Sequence, residues 1–169
     1  VIAQDGANQV SPIEITLRDY ELVQAATTGG LRNIGAIKRG YESNISGKEW
    51  QAHIEGACGE LAVAKAMGRY WGGSINTFKH GGDIDSTGWE VRTRSDHNHD
   101  LIVRDTDPDG RVFILVTGKS PTFRVHGWIK SGDAKREEWI QDHGGHGPAY
   151  FVPKEHLLDM GDLNEHHSD

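Results

Sequence analysis

Gly81-Gly82-Asp83-Ile84-Asp85-Ser86-Thr87-Gly88-Trp89-Glu90-Val91-Arg92-Thr93 is the stretch from which the rest of the chain is best read. Successive side chains of a strand point to opposite faces, so Glu90 and Arg92 share one face about 7 Å apart. Trp89, Val91 and Thr93 then face the other way, into a core. Asp83 and Asp85 lie a turn upstream, among Ser, Thr and Gly residues suited to a turn. The plain alternative is a hairpin whose Glu90 and Arg92 are merely solvated. A charged pair beside an aspartate cluster on a core-bound strand breaks a local rule, and such breaks mark functional sites.

Outward from this stretch, the N-terminal half reads as helical. A short strand is expected at Ile13–Leu17, then a helix from Leu17 to Ala26 capped by Thr16, a break at Gly29-Gly30, and a second helical piece from Leu31 to Arg39. A longer helix runs from Lys48 to Met67, capped by Ser46 or Asn44 and ended by Gly68. Trp50, Ile54, Ala57, Leu61 and Ala64 form its buried stripe. Glu60 borders that stripe, and Gly56 and Gly59 cost the helix about 1 kcal/mol each relative to alanine, which a close approach of backbone or ligand would explain.

The other half reads as strands: Ser74–Phe78, Trp89–Arg94, Asp100–Arg104, Arg111–Thr117 as a central strand covered on both faces, Thr122–Ile129 and Ala149–Val152. A short helix is expected at Asp133–Asp142 and a last turn near His156-Leu157-Leu158. This order is α/β, with a central mixed β-sheet flanked by helices. Residues 1–12 read as a flexible tail, 13–160 as one domain and 161–169 as a disordered tail.

Composition narrows the function. The 169 residues carry a formal charge of −7, which argues against a non-specific coat on nucleic acid but not against a nuclease, where a metal cancels carboxylate charge. The single cysteine, Cys58, excludes an internal disulfide framework and reads as packing, and it fits a reducing compartment. No apolar run reaches the roughly 18 residues of a membrane span, and no signal peptide is evident, so cytoplasm is expected. The absent initiator Met suggests processing or trimming. No glycine-rich phosphate loop occurs, and the histidines at 143, 146, 166 and 167 read as exposed loop residues.

Gly56-Ala57-Cys58-Gly59-Glu60-Leu61-Ala62-Val63-Ala64, then an aspartate in a turn, then Glu90-Val91-Arg92, resembles the restriction-endonuclease-like PD-(D/E)XK nuclease superfamily. Phe113-Ile114-Leu115-Val116, Phe123 to Ile129 and Ala149 to Pro153 extend the resemblance to a phage-type branch, over about Gly47 to Met160. It implies a restriction-endonuclease-like fold and Mg²⁺- or Mn²⁺-dependent hydrolysis of DNA phosphodiester bonds, in the host cytoplasm if phage-encoded.

By the resemblance, Glu90 and either Asp83 or Asp85 are metal ligands, Asp83 being preferred, and Glu60 binds metal directly or through water. Arg92 departs from the superfamily's usual lysine. It stays protonated and offers a planar fork to phosphate, so it can hold the scissile phosphate but cannot act as a base. Arg94, Arg104, Arg124 and His126, with Lys130, form a candidate DNA-backbone strip, and His97 or His99 a candidate phosphate contact. The alternatives are a catalytically inactive nucleic-acid- or protein-binding module that keeps the fold, and a structural phage component. Homodimerisation is open.

Overall fold

The computed structural model describes residues 10–40, 47–75, 83–84, 87–143 and 145–163. The elements are β1 (Ile13–Thr16), α1 (Asp19–Lys38), α2 (Glu49–Ala66), β2 (Trp89–Arg94), β3 (Leu101–Val103), β4 (Val112–Lys119), β5 (Thr122–Lys130), α3 (Ser131–Ala134), β6 (Ile140–Gln141), β7 (Ala149–Val152) and α4 (Met160–Leu163). The chain is therefore of mixed α/β class. Four strands form a mixed sheet in the order β1-β5-β4-β2, with β2 parallel to β4 and the other neighbours antiparallel. Strands β3, β7 and β6 form a second, antiparallel sheet.

Strand β4 lies inside the main sheet and is buried on both faces, as its nearly continuous apolar sequence requires. Ile114 and Val116 join one core with Trp89, Val91, Trp128 and residues of α2. Phe113 and Leu115 join a second core with Leu101, Val103, Ile129, Trp139 and Val152. Among the described residues no helix is long and apolar enough to cross a membrane.

Several local expectations are corrected. Gly29-Gly30 does not interrupt a helix, because α1 is continuous from Asp19 to Lys38. A Cβ at Gly29 would stand 2.6 Å from the His53 carbonyl oxygen and the Ile54 Cα. The glycine thus serves the crossing of α1 over α2. The N-cap of α1 is Arg18 rather than Thr16, its backbone N–H donating to Glu21.

The buried face of α2 includes Ala57, Cys58, Gly59, Glu60, Ala62, Val63 and Ala64, while Trp50 is half exposed. Lys48 is the N-cap, and Asn44 and Ser46 lie outside the described residues. Gly59 is explained by close packing on Thr93, whereas Gly56 faces open space.

The helix expected over Asp133–Asp142 is instead the single turn of α3, a 3-10 turn at Glu137–Trp139 and the short β6. The chain beyond Asp159 is not a free tail up to Leu163. Trp128 pairs with Leu158 by two backbone hydrogen bonds and donates its indole N–H to the Asp159 carbonyl, which seats Met160 and Leu163 in the core. Most of the Ser74–Phe78 strand and residues 1–9, 81–82 and 164–169 fall outside the described residues.

Candidate functional site

The outer edge of β2 organises the site. Asp83 donates its backbone N–H to the Trp89 carbonyl at 2.7 Å, and its carboxylate accepts the Val91 N–H at 2.7 Å. Both partners lie on the strand edge turned away from β4, where another strand would otherwise pair. The Asp83 segment therefore caps an edge strand and brings its carboxylate beside Glu90 and Glu60. Burial, then the charges of Glu60 and Glu90, push the Asp83 carboxyl up to about 7, against the Val91 N–H and Arg92. Glu90, half-buried, is also held above its ordinary value, chiefly by burial and despite Arg92 and Arg111. Asp85 lies outside the described residues.

Glu60 is 5% exposed and is committed to other partners. Arg32 of α1 donates both guanidinium arms to its two oxygens, at 2.5 and 2.8 Å, and the Trp71 indole donates to one of them at 3.0 Å. Arg32 is itself tied to the Ser74 carbonyl at 2.9 Å. These donors occupy three of the roughly four lone-pair positions of the Glu60 carboxylate, so it has little capacity left for a cation, directly or through water.

Arg92 is held by a partner that the sequence did not single out. Its Nη2 lies 2.9 Å from Asp107, its Nη1 3.9 Å from Glu90, and its guanidinium 5.0 Å from the centre of the Phe113 ring. Asp107 is fixed in turn by the Arg104 N–H at 2.8 Å. The turn between β3 and β4 that carries Asp107 thus aims Arg92.

Among the described residues no three His, Cys, Asp or Glu side chains converge as a ready metal cage. Mg²⁺ is commonly held by one or two carboxylates, waters and substrate phosphate. Asp83 and Glu90 suit that donor set in number and kind. Burial is the main cause of the raised Asp83 pKa, and the charges of Glu60 and Glu90 add to it; a hard divalent ion would offset both.

Strand register extends the site across the sheet. Arg94 pairs with Thr117, and Thr117 with Arg124, so these three side chains form one transverse row. Glu90 and Arg92 lie on the same face of β2. The exposed pair between Arg124 and Glu14, at 3.5 Å, is a weak one that a phosphate can replace. The fully buried Thr117 hydroxyl is shared by His97 Nδ1 at 2.7 Å and His126 Nε2 at 2.6 Å. Burial, then Lys154, His97 and Arg124, lower the His126 pKa to about 4, so at neutral pH it is an uncharged hydrogen-bonding group. Arg104 sits in the exposed turn after β3, and Lys130 at the exposed far end of β5, away from this row.

Arg32, Trp71 and Asp107 escaped sequence reading. Arg32 is 28 residues from Glu60 on a different helix, and no spacing pattern connects them. Compared with known protein families, curated proteins and solved structures, the chain shows no significant match to any.

Proposed function

We propose that this chain is a divalent-metal-dependent DNA nuclease with a restriction-endonuclease-like fold, of the phage-type branch and at work in the cytoplasm. The observation that carries the reading is the Asp83 carboxylate held on the outer edge of β2 by the Val91 N–H, within the field of Glu90 and Glu60, with Arg92 beside Glu90 and basic side chains farther along the same face. Asp83 and Glu90 hold Mg²⁺ or Mn²⁺. An ion bound there would supply charge to polarise the phosphoryl oxygens and activate water.

Glu60, anchored by Arg32 and Trp71, fixes the α2 side of the site and adds negative charge opposite Asp83. Arg92 orients the scissile phosphate and stabilises charge on its oxygens in the transition state. Held by Asp107, it is positioned before substrate arrives. Arg94 and Arg124 carry the flanking backbone.

A binding module that keeps the fold without cutting is the second reading, favoured by Arg92 in the lysine position and by its ion pair with Asp107. Calorimetric titration with Mn²⁺ separates the two. The nuclease reading expects one site per chain, lost in Asp83→Asn and in Glu90→Gln. No metal uptake, together with DNA binding that weakens steeply with salt, would select the module.

A further inference from the structure

We infer that the outer face of α1 is a self-complementary interface on which a second copy of this chain docks, its α1 antiparallel to the first. Tyr20, Val23, Leu31, Ile34 and Ile37 are all on this face and are 38–66% exposed. They follow helical spacing with Thr27 between them, so they form one stripe over the whole of α1. The stripe is unbroken because α1 runs straight through Gly29-Gly30. The opposite face, with Ala25, Thr28, Gly29 and Asn33 buried, is already used against α2.

Three observations commit the stripe to a second copy. Reversing α1 against itself about its midpoint sets Tyr20 against Ile37 and Val23 against Ile34, apolar on apolar. The same register sets the exposed Asp19 against the exposed Lys38, and opposes the two helix dipoles. Such pairing of residue i with j and j with i is what a two-fold interface requires.

At the crossing point Thr27 meets Gly30. The Thr27 hydroxyl is satisfied by the Val23 carbonyl at 2.8 Å, so it can be covered by apolar groups. Half-exposed Trp50 lies 3.7 Å from where a Gly30 Cβ would stand and widens the patch with a side chain typical of binding hot spots.

The area is sufficient. The five apolar side chains leave on the order of 500 Å² of apolar surface per chain, and two copies reach the roughly 1,000 Å² that separates specific interfaces from incidental contacts. None of these residues takes part in the carboxylate cluster, so the inference stands independently of the nuclease reading.

Sedimentation equilibrium of the full chain tests it, alongside Ile34→Glu. The wild type is expected as a dimer at micromolar concentration, and the variant as a monomer with an unchanged circular dichroism spectrum and at least tenfold weaker association. A second measurement fixes the orientation: Val23→Cys mixed with Ile34→Cys should give a disulfide-linked heterodimer under mild oxidation, while each variant alone should not. A wild type monomeric at 100-fold higher concentration, about 100 µM and far weaker than specific interfaces hold, would overturn the proposal. So would an Ile34→Glu chain that stays dimeric, or cross-linking of Val23→Cys to itself in preference to the mixed pair.

Discussion

Asp83 couples the candidate site to the stability of the protein. An aspartate titrates near 3.8 when unperturbed, and here its pKa is raised to about 7. Between these values the folded chain keeps a proton that the unfolded chain releases. The contribution to stability is therefore complete below about pH 3.8 and is lost as pH rises through 7. Asp83→Asn should flatten this loss and raise the melting temperature at pH 8 in EDTA. Mg²⁺ should raise it for the wild type and not for the variant, since only a native-state ligand site stabilises by mass action. Thermal unfolding at several pH values reads both effects, and a wild type indifferent to Mg²⁺ would remove the support that Asp83 lends to metal binding. The Arg32–Glu60 pair is buried and doubly hydrogen-bonded, so breaking it leaves an uncompensated charge. Arg32→Met should cost about 3 kcal/mol in urea unfolding, while a cost below 1 kcal/mol would mean that water relieves Glu60.

At the scale of the element, glycines in helices separate into two kinds. Gly29 is pressed on the backbone of α2, so Gly29→Ala should destabilise by about 1–3 kcal/mol through overpacking. Gly56 meets nothing within 4 Å, so Gly56→Ala should stabilise by up to about 1 kcal/mol. Denaturant midpoints decide both, and equal effects at the two positions would contradict the packing account. Strands β4 and β5 carry an opposite pH signature from Asp83. His126 has its pKa lowered from 6.5 to about 4, so its contribution is complete above pH 6.5 and lost as pH falls toward 4. His126→Gln should therefore lose less stability than the wild type on acidification from pH 6.5 to 4. The two trends oppose one another in that window, which is why single variants are needed to see them.

These elements also show what the sequence made legible. Strand β2, with its Glu90 and Arg92 face, was readable because period-two alternation is local, and β4 because a run of apolar residues needs two covered faces. The end of α2 at Gly68 was readable for the same local reason. Gly29-Gly30 was misread because a helix-packing glycine and a helix-ending glycine look alike in one dimension. Helix α4 was missed because its order comes from Trp128, about thirty positions upstream in the chain. Arg32, Trp71 and Asp107 were invisible for that reason too: their roles exist only once distant elements meet.

At the scale of the whole molecule, two cores on opposite faces of one sheet make β4 the rigid spine and leave β2 at the edge, where Asp83 occupies backbone positions that a further strand would take. A site at a sheet edge is fixed on one side by the spine and on the other by the Asp83 segment. The basic row of Arg94 and Arg124 crosses the same face, so a net charge of −7 is compatible with a local surface for DNA backbone. Cleavage of phosphodiester bonds at this edge, as proposed, is open to a direct test. The most direct measurement is incubation of the purified chain with linear and with circular DNA in Mg²⁺ or Mn²⁺, beside Glu90→Ala and an EDTA control. The expected result is cutting that EDTA abolishes and that falls by about 10²-fold or more in Glu90→Ala, as loss of a charge-stabilising group does. No cutting of either DNA form, with wild type and variant indistinguishable in either metal, would contradict it.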